Sequence, residues 1–252
     1  MIDRVDCSLV ALDYSQIELR MAAHLSQDPV LLSVYRQDGD IHMETACAMF
    51  GLPAESIDSK RHRRPAKTVN FGILYGMSPP TLLSKFYHED IFEFTLDDCE
   101  HFMAAWKNKY AGYFEWVEDT MAYARRHGCI HNMYGRVRYV PEVYSSHRWI
   151  RERGLREAVN MPIQSAAADI LKTAMQDSTE VYRAWQAAGY VVRPLLQVHD
   201  ELVWEVEDAV LHLVIPMLEE AMLSAASQLT VPVKVDVKTG LNWMEMEPWE
   251  CR

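Results

Sequence analysis

The hydrophobic residues of this chain recur with two periods, one typical of strands and one typical of helices. An apolar run at residues 6–12 predicts a short buried strand, and helical spacing begins directly after Asp13. Residues 131–141 resemble a hairpin or loop between two helical stretches. The same helical spacing predicts further helices at 41–50, 63–75, 96–127, 150–185 and 208–228.

The period changes near the end of the sequence, where short strands replace helices. Residues 195–206 predict two strands around a tight His199–Asp200 turn, and residues 231–238 predict a last strand. Strands therefore occur in the first and last parts of the sequence, with a helical block between them. This order predicts an α+β fold, in which distant segments assemble a sheet and the helical block projects from it.

Composition limits the classes of partner. The hydrophobic fraction of 49% supports a sizeable core, whereas the formal net charge of −11 argues, as an average, against a nucleic-acid partner. One basic cluster at 60–67 opposes that average, although a solvated helix face would also explain it. The five cysteines lack zinc-ligand spacing, and no apolar run reaches the length of a membrane span or a signal peptide. A cytosolic protein with reduced thiols and no membrane partner is predicted.

Asp13 lies where the first strand is predicted to end and a helix to begin. Such a junction holds a side chain on rigid backbone, but an ordinary helix-entry aspartate fits the same pattern. Ser15 and Glu18 have the spacing of a capping box, which local structure alone would explain. The residue types leave both a structural and a chemical role open for Asp13.

Asp200 is harder to explain as ordinary structure. Apolar residues flank the His199–Asp200 pair, and no glycine relieves the turn, so a strained turn that displays Asp200 beside Glu201 is predicted. A solvated turn aspartate remains the alternative. Two such carboxylates from distant segments could hold divalent ions for phosphoryl transfer, and oxygen ligands favour Mg²⁺. The sequence alone does not show that Asp13 and Asp200 meet.

The segment 63–75 combines cations and aromatics on one predicted helix face. Arg63, Lys67, Phe71 and Tyr75 recur at every fourth residue, so their directions drift by only ~40° per step. Cations suit a triphosphate and aromatic rings suit a base. Gly76 is placed to end the helix. An amphipathic helix with its aromatics in the core is the alternative explanation.

Four segments together resemble the motifs of family A DNA polymerases, the DNA polymerase I family. They are D-Y-S-Q-I-E-L-R from Asp13, R-R-P-A-K-T-V-N-F-G-I-L-Y-G from Arg63, N-M-P-I-Q-S-A-A-A-D from Asn160 and V-H-D-E from Val198. The order and spacing of the motifs agree with the family. The resemblance also includes D-I-H-M-E-T-A from Asp40 and Y-G-R-V-R-Y-V-P from Tyr134.

The resemblance implies template-directed DNA synthesis with two Mg²⁺ ions, held by Asp13, Asp200 and the Tyr14 carbonyl. Lys67 would also donate a proton to the leaving pyrophosphate, which makes Asp13, Asp200 and Lys67 the catalytic residues. Nucleotide binding would fall to Gln16, Glu18, His42, Arg63, Lys67 and Phe71. Within this set Arg63, Lys67 and His42 would hold the triphosphate, Phe71 would stack on the incoming nucleotide, and Glu18 would block a ribose 2′-hydroxyl.

The resemblance also implies contacts with primer-template DNA. Tyr75 would occupy the template-base position before the fingers close. Gln164 and His199 would read the minor groove of the newest base pair, and Arg156 and Asn160 would contact the template or primer strand. Glu201 would be an auxiliary carboxylate.

In the family's right-hand architecture, residues 1–40 and 151–252 would form the palm and residues 41–150 the helical fingers. Only twelve residues precede Asp13, so the resemblance implies that the thumb and the exonuclease are absent. A truncated or split polymerase is therefore expected, with a separate N-terminal polymerase fragment as a further partner. The expected location is the nucleoid-associated cytoplasm of a bacterial or phage-infected cell.

Two other functions remain open on the sequence. A catalytically weak or inactive polymerase-fold remnant would bind DNA without extending it, although the metal and triphosphate positions are all retained. A single-subunit RNA polymerase shares three of the motifs. Glu18 and Phe71 argue against the RNA polymerase, because a blocking glutamate excludes ribonucleotides and such enzymes usually carry tyrosine at the Phe71 position.

Overall fold

The computed structural model describes residues 6–249, and an antiparallel sheet is the first of its two main features. Within these residues the sheet has five strands in the order β4-β5-β1-β6-β7. The bounds are β1 Cys7–Tyr14, β4 Val192–Val198, β5 Glu201–Glu207, β6 Val235–Gly240 and β7 Glu247–Pro248. The central strand β1 buries Val10, Ala11 and Leu12 almost completely, which explains why its sequence reads as a continuous apolar run.

Helices form the second feature of the described chain, and most of them lie in the predicted helical segments, although the helices at Pro29–Arg36 and Pro79–His88 were not predicted. Their bounds are α1 Ile17–Ser26, α2 Pro29–Arg36, α3 Ile41–Phe50, α4 Arg64–Leu74, α5 Pro79–His88, α6 Leu96–Lys109, α7 Ala111–His127, α8 Arg148–Ala187 and α9 Leu211–Ala225. The hairpin predicted from His131 is also confirmed, as β2 Cys129–His131 paired with β3 Val137–Tyr139. The predicted α+β fold is therefore correct.

Two element boundaries differ from the sequence prediction. The single helix predicted at 96–127 is broken at Tyr110, whose backbone leaves the helical region and whose buried hydroxyl bonds the Thr45 hydroxyl. The last strand begins at Val235 rather than at 231, because Thr230 and Pro232 bond to side chains of α1 instead. In both places a tertiary hydrogen bond overrides the local pattern.

The chain divides into two compact units. Within the described residues, the sheet unit comprises 6–17, 166–229 and 233–249, and the helical unit comprises 18–165 and 230–232. Helix α8 contributes residues to both units. These units are defined by packing, whereas palm and fingers are functional terms, so the palm and fingers boundaries at 40 and 150 stay predictions.

A small core inside the helical unit joins the end of α7, the β2–β3 hairpin and the start of α8. The 3₁₀ turn at Pro141–Tyr144 packs into the same core. Its residues are Ala124, Ile130, Val140, Val143, Leu155, Ala158 and Met161. Because these elements share one set of buried side chains, the surface that they carry has a fixed shape.

Two further findings concern possible membrane spans and the cysteines. Within 6–249 no helix is long and apolar enough to cross a membrane. Four cysteines carry free thiols, namely Cys7, Cys47, Cys99 and Cys129. The fifth, Cys251, lies outside the described residues.

Candidate active site

Asp13 lies in the middle of a group of carboxylates on the sheet. It is the penultimate residue of β1 and stands opposite Glu201 of β5 on one side and Asp236 of β6 on the other. Residues that face each other across antiparallel strands project from the same side of a sheet, so these three share one face. Asp200 adjoins them, because its carbonyl accepts the Tyr14 N–H at 3.3 Å. Asp13 and Asp200, predicted from distant segments, are thus brought together.

The crowding of negative charge changes the acidity of Asp13. Burial raises its pKa to about 6, and Asp200, Glu201 and Asp236 act in the same direction, opposed by Lys238. The Oδ1 atom of Asp13 is buried, and no donor in the described part of the chain bonds to it. A buried carboxylate oxygen without a partner is unfavourable, and a cation would relieve that cost. The oxygen-rich surroundings fit Mg²⁺.

The side chain of Tyr14, whose main-chain carbonyl is the third predicted metal ligand, is anchored in the sheet unit. Its ring is buried and its hydroxyl donates to the Met222 carbonyl at 2.6 Å. Among the described residues no three His, Cys, Asp or Glu side chains are grouped so as to hold a metal ion. The predicted set of Asp13, Asp200 and a main-chain carbonyl needs only two side chains, so it does not depend on such a group.

Glu201 and Asp236 add charge to the cluster without belonging to the predicted ligand set. The Trp243 indole donates to Glu201 Oε1 at 2.9 Å and so restrains this carboxylate, which was predicted to be auxiliary. Asp236 is exposed and was missed by the sequence analysis. The alternation V-D-V-K could have indicated which face of the strand Asp236 occupies. That Asp236 stands opposite Asp13 could not be known from the sequence.

Two predicted site residues in the sheet unit have left-handed backbone conformations. Gln16 has a φ of 55° and His199 a φ of 52°. For residues with a side chain such conformations cost about 1–3 kcal/mol, and they cluster at functional sites. Gln16 ends the turn after β1, and His199 forms the β4–β5 turn with Asp200. The strained turn predicted at His199–Asp200 is confirmed.

Helix α4 presents the predicted triphosphate and base residues. Arg63 is the residue before its first turn, as predicted from the sequence, and a π-helical turn at Ser59–Arg63 leads into it. Tyr75 caps the other end, where Gly76 has a φ of 68° and its N–H bonds the Ile73 carbonyl at 2.9 Å. This arrangement is the predicted glycine end of the helix.

Arg63 and His42 are both positioned by Asp40, which caps the start of α3. One Asp40 oxygen accepts the His42 and Met43 N–H groups, and the other accepts from Arg63 Nε at 2.6 Å. Burial raises the pKa of Asp40, but these hydrogen bonds outweigh it and hold the pKa below its usual value. The ion pair is about one-third exposed, so it contributes roughly 1 kcal/mol or less and leaves Arg63 able to bind a phosphate.

Asn70 fixes the protonation state of His42. The Asn70 carbonyl oxygen accepts from Thr45 Oγ1 at 2.9 Å and from Trp106 Nε1 at 2.6 Å, so its amide nitrogen must face His42 Nδ1 at 2.8 Å. His42 Nδ1 is therefore the acceptor, and the ring proton lies on Nε2. All four residues are buried. Sequence reasoning missed Asn70, although it lies within the resembling motif.

The remaining cations and rings lie close to His42 in the helical unit. Burial lowers the pKa of His42 to about 4, and the nearby charges of Arg63 and Lys67 act in the same direction against Asp40. Lys67 is exposed. The Phe71 ring lies 6.0 Å from His42 and 6.5 Å from Tyr75, centre to centre, and is stacked with Tyr75.

Two of the predicted DNA contacts line an apolar cavity of about 350 Å³ in the helical unit. Arg156 and Asn160 of α8 line it together with Gly76 and Met77. A β-carbon at Gly76 would lie 3.0 Å from the Arg156 side chain, and the φ of Gly76 is left-handed, so both the space and the backbone favour glycine here. Gln164 is exposed one helical turn beyond Asn160.

The predicted residues thus form two sets, one in each unit. Those in the sheet unit are Asp13, Tyr14, Gln16, His199, Asp200 and Glu201. Those in the helical unit are Glu18, His42, Arg63, Lys67, Phe71, Tyr75, Arg156, Asn160 and Gln164.

Residues 2–245 match the sequence profile described as DNA polymerase family A. The chain belongs to DNA polymerase family A. Relatives in this family include the thermostable DNA polymerase I of Thermus aquaticus, which is 40% identical over 236 residues, 94% of this chain and 27% of that protein. DNA polymerase I of Pseudomonas aeruginosa is 38% identical over 237 residues, 94% of this chain and 25% of that protein. This family A chain therefore spans about a quarter of the length of these relatives.

One solved structure has a similar fold. The POL domain of Pol1 from M. smegmatis, in complex with DNA primer-template and dNTP, matches with a TM-score of 0.83 and 34% identity. The match covers 96% of this chain and 40% of that chain.

Proposed function

We propose that this chain carries out template-directed DNA synthesis, in which a primer 3′-hydroxyl attacks a deoxynucleoside triphosphate and releases pyrophosphate. The observation that carries the proposal is the buried, unpartnered Oδ1 of Asp13 beside Asp200. Family membership supports it, and the related M. smegmatis domain was solved with primer-template and dNTP.

Asp13, Asp200 and the Tyr14 carbonyl would hold two Mg²⁺ ions. Bound Mg²⁺ lowers the pKa of the primer hydroxyl and neutralises charge on the phosphates. The adjoining positions of Asp13 and Asp200 support this set, and so do the hydrogen bonds of Tyr14 to Met222 through its hydroxyl and to Asp200 through its N–H. Glu201 adds negative charge to this group.

Arg63, Lys67 and His42 would bind the triphosphate. Arg63 and Lys67 supply positive charge, and the neutral His42 supplies an Nε2–H donor whose direction is set by Asn70. Lys67 would then donate its proton to the oxygen of the departing pyrophosphate. The exposure of Lys67 makes this ammonium group accessible to a substrate.

The remaining predicted residues would contact the bases, sugars and strands. Phe71 would stack on the incoming base, Glu18 would exclude a 2′-hydroxyl, and Tyr75 would hold the template-base position. Gln16 would contact the nucleotide. Gln164 and His199 would read the minor groove, while Arg156 and Asn160 would contact the strands. A separate N-terminal polymerase fragment, and the palm and fingers boundaries, stay predictions.

Primer extension tests the proposal. Incorporation of a deoxynucleotide should require Mg²⁺ and should be lost in Asp13→Ala, because the buried ligand is removed. Glu205→Ala is the matched control, since Glu205 is a carboxylate on β5 that forms an ion pair with Arg193 instead. Absence of incorporation, even with an added N-terminal polymerase fragment, would contradict the proposal and favour a non-catalytic remnant.

A further inference from the structure

The chain after β6 turns back across the face of the sheet that carries the carboxylates. Strand β6 ends at Gly240, which stands opposite Leu9 of β1. Glu201 belongs to β5 and stands opposite Asp13, near the other end of β1. The Trp243 indole nevertheless donates to Glu201 Oε1 at 2.9 Å, on the far side of β1 from β6. To make this bond, the residues after Gly240 must fold back over β1.

Hydrogen bonds rather than burial define the shape of this return turn, residues 241–245. No residue of its 3₁₀ segment Trp243–Glu245 is buried, and Met244 is 96% exposed. The Asn242 Oδ1 atom accepts the N–H groups of Met244 and Glu245, both at 3.1 Å. The Asn242 Nδ2 atom donates to Glu245 Oε2 at 2.7 Å. The side chain of Asn242 therefore closes the turn from which the indole projects.

Glu201 is held at a place where other carboxylates repel it. Its charge is one of those that raise the pKa of Asp13, together with Asp200 and Asp236, so the four groups oppose one another. Without a donor, the Glu201 side chain would turn away from these charges and toward solvent. The Trp243 N–H opposes that movement, because it holds one carboxylate oxygen over the sheet.

We propose that Trp243 is a positioning residue that holds Glu201 beside Asp13 and so strengthens the binding of divalent cations at this site. A cation binds more tightly where negative charge is already fixed, because no free energy is then needed to bring the carboxylates together. The inference deepens the proposed function and rests on its metal site. It gives the return turn a task in cation binding, although the turn follows the last strand predicted from the sequence.

Titration with Mn²⁺, without DNA or nucleotide, measures cation binding through the paramagnetic resonance of the free ion. Mn²⁺ prefers the same oxygen ligands as Mg²⁺, and the binding that is lost in Asp13→Ala defines the site. Trp243→Phe keeps a ring but removes the donor, so it should weaken this binding by about fivefold. Asn242→Ala should weaken it in the same direction. Trp185→Phe is the matched control, a half-buried tryptophan of the sheet unit whose ring contacts Tyr190.

A double-mutant cycle separates positioning from a purely structural role of the ring. In Glu201→Ala the carboxylate is absent, so adding Trp243→Phe should have no further effect on the affinity for Mn²⁺. A structural role would instead give the same loss of affinity in both backgrounds. That result would overturn the inference, and so would unchanged or tighter binding in Trp243→Phe alone.

Urea unfolding without cations tests the contact itself. Trp243→Phe should lower the free energy of unfolding of the wild type more than that of Glu201→Ala, and equal losses would overturn the inference. These measurements also separate the inference from the proposed function. Coupling and Mn²⁺ binding without incorporation of nucleotides contradict only the proposed function. Incorporation without coupling contradicts only the inference, and a wild type that binds no Mn²⁺ at Asp13 contradicts both.

Discussion

The Tyr75 hydroxyl donates a hydrogen bond to the Glu18 carboxylate. Tyr75 caps the end of α4, and Glu18 lies in the first turn of α1. The bond therefore couples two residues to which the family resemblance gives different tasks, one at the template base and one at the sugar. The bond also restrains the Glu18 side chain. Such restraint is needed if this side chain is to exclude a hydroxyl group by contact.

Glu18→Ala should admit ribonucleotides. Removing the carboxylate opens space beside the sugar, and we expect the ratio of kcat/KM for deoxynucleotides over ribonucleotides to fall by a factor on the order of 100. Glu18→Gln keeps the volume and should keep most of the discrimination. Tyr75→Phe removes only the restraint and should reduce discrimination by about fivefold. Unchanged discrimination in Glu18→Ala would refute the role and reopen the RNA polymerase alternative.

Phe71→Tyr should improve the use of dideoxynucleotides. Phe71 stacks with Tyr75 and is half-buried on the face that carries Lys67. If Phe71 contacts the incoming nucleotide as proposed, an added hydroxyl would replace the contact that a missing 3′-hydroxyl loses. The measurement is chain termination at fixed ratios of dideoxynucleotide to deoxynucleotide. Termination equal to that of the wild type would count against the placement of Phe71 at the incoming nucleotide.

Asp13→Asn should stabilise the metal-free protein at neutral pH while it abolishes incorporation. The folded-state pKa of Asp13 is raised to about 6, so the stability that this group contributes at low pH is lost as the pH rises from about 4 through 6. Above pH 6 the loss is at most about 3 kcal/mol. Urea unfolding without Mg²⁺ should show a gain for the variant at pH 8 and little gain at pH 4. A less stable variant at pH 8 would contradict the electrostatic strain at Asp13.

His42→Gln should make the protein less sensitive to acid. The folded-state pKa of His42 is lowered to about 4, so the unfolded chain takes up a proton first and stability falls as the pH drops from about 6.5 to 4. The loss for this group is about 3 kcal/mol. As the pH drops from about 6.5 to 4, the free energy of unfolding should therefore fall more for the wild type than for the variant. A constant difference would show that His42 titrates normally.

Much of the fold could be predicted because its signals are local. Each signal lies within a short stretch of sequence: the apolar run at β1, the four residues spaced four apart at 63–75, and the glycine-free turn at Asp200. Asp236 and Asn70 could not be predicted in the same way. Asp236 acts through its position opposite Asp13 on a neighbouring strand, and Asn70 acts through donors from α3 and α6. Both depend on tertiary pairing that no local period encodes.

The break at Tyr110 has the same origin. Its surroundings read as continuous helix, yet the buried hydroxyl bonds Thr45, and a β-carbon at the following Gly112 would lie 3.0 Å from the Asp28 carboxylate. A long-range contact thus decides where two helices meet.

The sheet order also governs how the molecule can assemble. Strand β1 pairs with β5 and β6, so Asp13 lies opposite Glu201 and Asp236, which follow it by 188 and 223 residues in the chain. Contacts of this separation form late and slowly, whereas the helical segments between them can fold as they emerge during synthesis. The carboxylate cluster is consequently among the last features to form. A nick anywhere between residues 14 and 201 would leave it dependent on the association of two separate polypeptides.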